Sequence, residues 1–233
     1  MYKSIMLKIS GESLAGSNYQ GFDFDILNDL CQNIKLLTKK NIKISIVLGG
    51  GNFIRGSSFS NGVIDRVTSD YMGMLGTVIN SLALQSNLEK IGVPSRVMTA
   101  ISINRVAEPY IKNRAVRHLD KNRVVIFASG TGNPFFSTDT AAVLRASEMK
   151  SDIIFKGTKV DGIYDKDPIK NIDAKKINEI SYSDYLNKEI NVMDTTAISL
   201  AKDRKIPIII FSILKSSNLN NIIDGKGSYS IIK

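Results

Sequence analysis

Four short segments of this chain set glycines beside cations or amides in a way that suits phosphate chemistry. They are Lys8-Ile9-Ser10-Gly11-Glu12, Gly49-Gly50-Gly51-Asn52, Gly130-Thr131-Gly132-Asn133-Pro134 and Lys156-Gly157-Thr158-Lys159-Val160-Asp161-Gly162. Glycine at the end of a strand lets backbone N–H groups approach a phosphate closely, and a following helix N-terminus adds favourable dipole charge. One such turn is commonplace in an α/β protein. Four of them, accompanied by Lys8, Arg55 and Lys156, point to an extended polyphosphate site. The usual fingerprints are missing: G-x-x-x-x-G-K-[ST] occurs nowhere, and Gly49-x-Gly51 is followed by Ile54 where a dinucleotide fold has its third glycine. A P-loop ATPase and a dinucleotide binder are both disfavoured. Phosphoryl transfer needs positioning and charge neutralisation more than covalent chemistry, so lysines and glycine turns on another scaffold suffice.

That scaffold follows from the spacing of apolar residues. Tyr2 to Ile9 and Ile42 to Leu48 are β-branched runs that stop at glycines, as strands entering functional loops do. Between them Ile26, Leu30, Ile34 and Leu37 recur at helical spacing, with Asp23 or Asp25 as N-cap. Asp65 to Lys90 repeats the pattern through Tyr71, Leu75, Val78 and Leu82, and Gly92-Val93-Pro94 ends it before a strand at Ser95 to Thr99. Arg105 to Leu119 reads as helical with a break near Pro109, Val124 to Ala128 as a buried strand, and Thr138 to Met149 as a helix. A strand at Ile153 to Lys156 precedes a loop from Asp161 to Ile172. A helix from Met193 to Arg204, a strand from Ile206 to Ser212, a short helix from Ser216 to Asp224 and a last strand from Ser228 to Ile232 complete the order. Strands alternating with helices predict a three-layer αβα sandwich with a mostly parallel central sheet, formed as one domain over 1–233. Ligands of such sheets bind outside the carboxyl ends of the strands, where the glycine turns fall.

Composition narrows the function classes. With 43% hydrophobic and 23% charged residues the chain is that of an ordinary soluble globular protein. The longest apolar run, Ile206 to Ile213, is far too short to span a bilayer, and Met1 to Ile9 lacks the length of a signal peptide. Cys31 is the only cysteine, so no intramolecular disulfide forms, and its place on an apolar helix face predicts a buried thiol in a reducing cytoplasm. His118 is the only histidine, so a histidine-rich metal site or a Ser-His-Asp machine would have to rest on that one residue; it falls in the basic stretch Arg114 to Arg123 and reads rather as an exposed surface residue. The formal charge of +9 invites a nucleic-acid reading, yet the lysines are scattered and no basic block is interleaved with aromatics. Anionic small substrates benefit from the same positive field.

The order of these motifs resembles the amino-acid-kinase superfamily, and within it the bacterial uridylate kinases, over essentially the whole chain. The specific residues are Thr131-Gly132-Asn133-Pro134-Phe135-Phe136 before Ser137-Thr138-Asp139, Arg66-Val67 with Asp70-Tyr71-Met72-Gly73-Met74-Leu75, and Lys156 to Gly162. The resemblance implies transfer of the γ-phosphoryl group of ATP, taken with Mg2+, to UMP, and assembly as a homohexamer built from dimers. It places Lys8, Ile9, Ser10, Gly11, Gly51, Arg55, Thr158, Tyr164 and Asp167 where the family binds ATP, with Lys8 reaching the transferred phosphate. Gly50, Asp70 and the stretch Thr131, Gly132, Asn133, Pro134, Phe135, Phe136, Ser137 and Thr138 fall where it binds UMP, Asp70 by the ribose hydroxyls. Asp139 takes the position of an acid that orients the reactive lysines, and Asp194 matches a family position without a defined role. No metal-ligating residue is implied.

Bland readings stand beside these. Asp139 as the first-turn acid of its helix would contribute under about 1 kcal/mol through the dipole. Asp70 reads equally as a surface acid, Asp161 as the stabiliser of its own turn, and Phe135 and Phe136 more often as core than as base-stacking rings. Asp23 stands where the family often has a glycine, in a region that relatives tie to activation by GTP, so the departure bears on regulation. Two other functions remain: the same scaffold phosphorylating a carboxylate or carbamate, and a nucleic-acid-binding regulator with a vestigial kinase fold.

Overall fold

The computed structural model describes residues 2–18, 20–54, 63–188, 190–214 and 218–233. Along the chain the elements are β1 (Ser4–Ile9), α1 (Gly11–Leu14), α2 (Phe24–Thr38), β2 (Lys43–Leu48), α3 (Arg66–Lys90), β3 (Ser95–Thr99), β4 (Glu108–Pro109), α4 (Lys112–Asp120), β5 (Val124–Ala128) and α5 (Thr138–Met149). There follow β6 (Ile153–Thr158), β7 (Ile163–Tyr164), β8 (Lys176–Ile177), β9 (Glu179–Ile180), α6 (Tyr182–Asn187), α7 (Thr195–Arg204), β10 (Ile208–Ser212), α8 (Asn218–Ile223) and β11 (Ser230–Ile232). A 9-stranded sheet has the order β4-β3-β5-β2-β1-β6-β10-β11-β9, parallel throughout except where β11 runs against β10.

The order places β1 at the centre. From it the chain adds β2, β3, β4 and β5 on one side, then crosses to add β6 and the remaining strands on the other. That reversal leaves a crevice outside the carboxyl ends of β1 and β6, where open parallel sheets bind ligands. Alternation along the central strands then decides what faces it. Ile5, Leu7 and Ile9 of β1 pack with Leu30, Ile34 and Leu84 of α2 and α3, whereas Met6 joins Ala142, Val143 and Ala146 of α5 on the opposite face. Lys8 continues the Met6 row. In β6, Ile153 and Phe155 belong to the first face and Ile154 to the second, so Lys156 continues the Ile154 row. Lys8 and Lys156 are register partners, so two lysines end adjacent rows beneath α5.

Local chemistry fixes the helices that cover the sheet. Asp23 caps α2 by accepting from the amides of Asp25 and Ile26, and Leu27, Leu30, Cys31, Ile34 and Leu37 form its buried face. A Cβ on Gly16 would stand 2.4 Å from an Asp23 carboxylate oxygen, so the acid in the departing loop is built in as a helix cap against that glycine. Asp65 caps α3 and Ser137 caps α5. Burial pushes the Cys31 thiol up to about 12, which leaves it unreactive.

Several expectations need correction. Residues 105–111 are not helical: Glu108 and Pro109 pair with Met98 and Thr99 at the edge of the sheet, and the helix begins only at Lys112. Proline lacks the N–H a helix interior needs but is tolerated on an edge strand. The loop from Asp161 to Ile172 contains β7, which pairs with β8. His118 is largely covered, its Nε2 3.1 Å from Glu108 and its Nδ1 3.1 Å from Arg123. Tyr71 and Leu75 do not face the core; they are 42% and 49% exposed. On the buried side of α3 lie Met74, Gly76, Thr77, Asn80 and Ser81. Phe135 and Phe136 are not core residues either, at 66% and 51% exposed. The capping serine expected for the last helix lies outside the described residues.

Candidate active site

At the crevice, one carboxylate sits between two lysines. Lys8 Nζ lies 2.6 Å from Asp139 Oδ1, and Lys156 Nζ lies 2.5 Å from Asp139 Oδ2. Lys156 also donates to the Val192 carbonyl at 2.5 Å. Both lysines are only 5% exposed. Asp139 reaches them because Ser137 caps α5, accepting from the Asp139 and Thr140 amides at 3.0 and 3.1 Å, so the first turn of the helix stands over the two strand ends. Two positive charges against one negative leave the cluster net cationic under low-dielectric cover. Charge of that kind stabilises a phosphoryl group far better than the same lysines would in water.

Burial by itself would push the Asp139 carboxyl up. The charges of Lys8 and Lys156 outweigh it and hold the group down at about 2. Burial and repulsion from Lys8 bring Lys156 down to about 8, against the pull of Asp139 and then Asp194. At neutral pH Asp139 is therefore ionised, and Lys156 keeps its proton less firmly than an ordinary lysine does.

The first two glycine turns pack on each other, and the second on α3, with no room for side chains at Gly11 or Gly50. A Cβ on Gly11 would lie 2.6 Å from the Gly51 nitrogen, and one on Gly50 would lie 2.4 Å from the Gly73 carbonyl oxygen. Two buried amides hold the second turn: Asn80 donates to the Gly49 carbonyl at 2.6 Å and exchanges hydrogen bonds with Asn52 at 2.7 and 2.9 Å. Beside the triad is a cavity of about 150 Å3 whose walls include Gly50, Gly51, Asp70, Thr131, Phe136 and Thr138. A second hollow, of about 470 Å3, is lined by Gly162, Tyr164 and Asp167.

Asp70 joins α3 to the loop before α5. Its carboxylate accepts from Arg66 Nε at 2.9 and 3.0 Å and from the Phe135 amide at 2.7 Å. Phe135 sits at φ 71°, a left-handed conformation that a residue with a Cβ adopts at a cost, and this bond helps to hold it there. The arrangement offers a carboxylate and a turn of backbone amides to a small polar ligand lying next to two buried ammonium groups.

A family model described as the amino acid kinase family matches residues 3–212. The chain belongs to the amino acid kinase family. Among solved structures it is similar to the UMP kinase from Bacillus anthracis, with 40% identity over 100% of this chain and 96% of that one at a TM-score of 0.95. It is similar to the UMP kinase from Ureaplasma parvum, with 36% identity over 100% and 99% of the two chains at a TM-score of 0.94. The uridylate kinase from Archaeoglobus fulgidus shares the fold at 22% identity over 98% and 99% of the two chains, with a TM-score of 0.73.

Within this amino acid kinase the residues singled out from the sequence fall into three groups. Lys8 and Asp139 touch; Ile9, Ser10 and Gly11 follow Lys8 at the end of β1, Thr158 ends β6, and Gly51 lies in the turn after β2, packed on Gly11; the Ile9 side chain is fully buried. Gly50, Asp70, Thr131, Phe136 and Thr138 share the smaller cavity, while Tyr164 and Asp167 share the larger. The smaller cavity's walls do not include Gly132, Asn133, Pro134, Phe135 or Ser137, and the Ser137 hydroxyl is engaged as a cap. Arg55 lies outside the described residues. Two residues have no defined role in the sequence alone. Lys156 reads there only as a cation near a glycine turn. Asp194 faces residues more than fifty positions away, which no local pattern signals.

Proposed function

We propose that this amino acid kinase is a UMP kinase, transferring the γ-phosphoryl group of ATP to UMP to give UDP and ADP for pyrimidine nucleotide synthesis. The observation that carries the proposal is the Lys8–Asp139–Lys156 triad at the strand switch point, together with a cavity that bears Asp70 and reaches Thr138, next to Asp139 in the chain, and a larger hollow that reaches Val192, whose carbonyl accepts from Lys156. The similarity to two UMP kinases at 40% and 36% identity over the full chain supports UMP over a carboxylate as acceptor.

On this reading a UMP phosphate oxygen attacks the γ-phosphorus as the bond to the β-bridging oxygen of ADP breaks. Lys8 and Lys156 hold the phosphoryl oxygens as charge redistributes, and Asp139 sets the lysines' positions without taking a proton. The backbone of Ile9, Ser10, Gly11 and Gly51, with Arg55, Thr158, Tyr164 and Asp167, holds the donor. Gly50, Asp70 and the turn from Thr131 through Gly132, Asn133, Pro134, Phe135, Phe136 and Ser137 to Thr138 hold UMP, with Asp70 on the ribose. Asp139 is committed to two lysines, so Mg2+ enters as part of the nucleotide substrate.

Assembly as a homohexamer of dimers belongs to the same proposal. Val67, Tyr71, Leu75 and Ile79 recur every fourth residue along α3 and are all exposed, an apolar stripe suited to a copy of the same helix. A cytoplasmic location belongs to the same proposal; among the described residues no helix is long and apolar enough to cross a membrane. Steady-state turnover of UMP against CMP tests the acceptor: UMP should react faster by orders of magnitude, because buried polar groups reject a base that leaves them unpaired. Comparable turnover of CMP would overturn it.

A further inference from the structure

The triad is steadied by a second carboxylate that touches neither lysine. Asp194 precedes α7 and caps it, accepting from the Ala197 amide at 2.9 Å. The same side chain reaches α5, where it accepts from the Ser137 hydroxyl and from Thr140 Oγ1, the latter at 3.1 Å. Ser137 in turn caps α5 through the amide of Asp139. Two residues before Asp194, the Val192 carbonyl takes a hydrogen bond from Lys156. One short stretch, residues 192–194, thus holds both sides of the Asp139–Lys156 ion pair. An ordinary helix cap needs only the bond to Ala197; the two bonds to α5 exceed what capping α7 requires.

We propose that Asp194 is a positioning residue for phosphoryl transfer, fixing the first turn of α5 over the strand ends so that Asp139 holds Lys8 and Lys156 at the transferred phosphate. The inference rests on the kinase reading above and adds a residue to it. The groups facing Lys156 are Lys8 from β1, Asp139 from α5 and Asp194 from the start of α7. The Tyr185 hydroxyl of α6, bonded to both backbone groups of Met193, lies beside them. Of these, Asp139 and Asp194 favour the charged lysine. Asp194 therefore acts in two separable ways, through geometry and through charge.

Three variants separate them. Asp194→Asn keeps an oxygen for the Ala197 amide but removes the charge and weakens the hold on both hydroxyls. Its kcat should fall about ten- to a hundredfold, the usual cost of a small misplacement of catalytic groups. The alkaline limb of its kcat/KM for ATP, which reports free-enzyme ionisations, should move to lower pH. Thr140→Val, nearly isosteric, removes one bond and leaves the charge, so kcat should fall several-fold with the alkaline limb in place. Ser181→Ala removes the cap of α6, a helix that meets the lysines' surroundings through the Tyr185–Met193 bonds and touches neither lysine, and should lower Tm alone. Wild-type UDP formation, measured first, tests the kinase reading, while the ratios of variant to wild type test the inference. Were the wild type to make no UDP, MgATP binding followed by calorimetry across pH would carry the same comparison. Asp194→Asn with wild-type kcat and an unmoved limb, matching Ser181→Ala, would reduce Asp194 to a helix cap. If Asp194→Asn does not fold, an unchanged kcat in Thr140→Val overturns the proposal by itself.

Discussion

Replacing Asp139 by asparagine removes the one carboxylate that bridges two buried ammonium groups, and its consequences can be sized. The Asp139 carboxyl is held down from an ordinary 3.8 to about 2, which corresponds to about 2 kcal/mol of folding stability at neutral pH. Because the folded carboxyl is the stronger acid, that contribution is complete above the unfolded value and is lost as pH falls through about 2. The substitution does more than delete it. Lys8 and Lys156 would remain buried and mutually repelling, and breaking a buried pair from one side typically costs roughly 3–5 kcal/mol. The asparagine side chain could still accept one hydrogen bond, which places the expected loss near the lower end. Urea unfolding of wild type and Asp139→Asn at neutral pH, repeated in steps into the acid range, measures both parts. The variant should be about 3 kcal/mol less stable at neutral pH, and the gap should narrow as the wild-type carboxylate protonates. Its kcat should fall by about a hundredfold or more, since the lysines lose the group that aligns them. A variant as stable as wild type, or a gap that does not narrow in acid, would refute the placement of Asp139 between the two lysines.

Two further outcomes follow from the geometry. Asp70→Asn should mainly raise KM for UMP and leave ATP dependence untouched, because the amide can still accept from the Phe135 N–H but loses its ion pair with Arg66 and its charge toward the ribose; steady-state kinetics with each substrate varied would show this, and a change confined to ATP would count against it. Leu75→Glu, at the middle of the exposed stripe on α3, should shift light-scattering mass to a smaller species, and an unchanged mass would remove α3 from the subunit interface.

The parts of the fold and site that were legible share a physical cause: they are set by local chemistry. Asp23, one of the two caps expected for α2, accepts from amides two and three residues on, and β3, β5 and α5 run between the residues that their patterns predict. Lys8 and the glycine turns follow from strand ends in a parallel sheet. What was missed depends on distant partners. β8, β9 and α6 are too short to show a period, and β4 exists only because β3 lies beside it. Tyr71 and Leu75 misled because α3 turns glycines and small polar residues, not its largest apolar ones, toward the turn at Gly50. Lys156 acquires its role from register with Lys8, and Asp194 from α5, neither of which spacing along the chain conveys.

The measurement closest to the central claim is product formation by the purified protein given MgATP and UMP, followed by separation of the nucleotides, alongside Lys8→Ala and parallel reactions with CMP and with a carboxylate acceptor. The triad and the two cavities predict UDP and ADP in equal amounts from UMP, little product from the other acceptors, and a loss of kcat in Lys8→Ala of about a hundredfold or more. Phosphorylation of the carboxylate in preference to UMP, or near-normal kcat in Lys8→Ala, would contradict it.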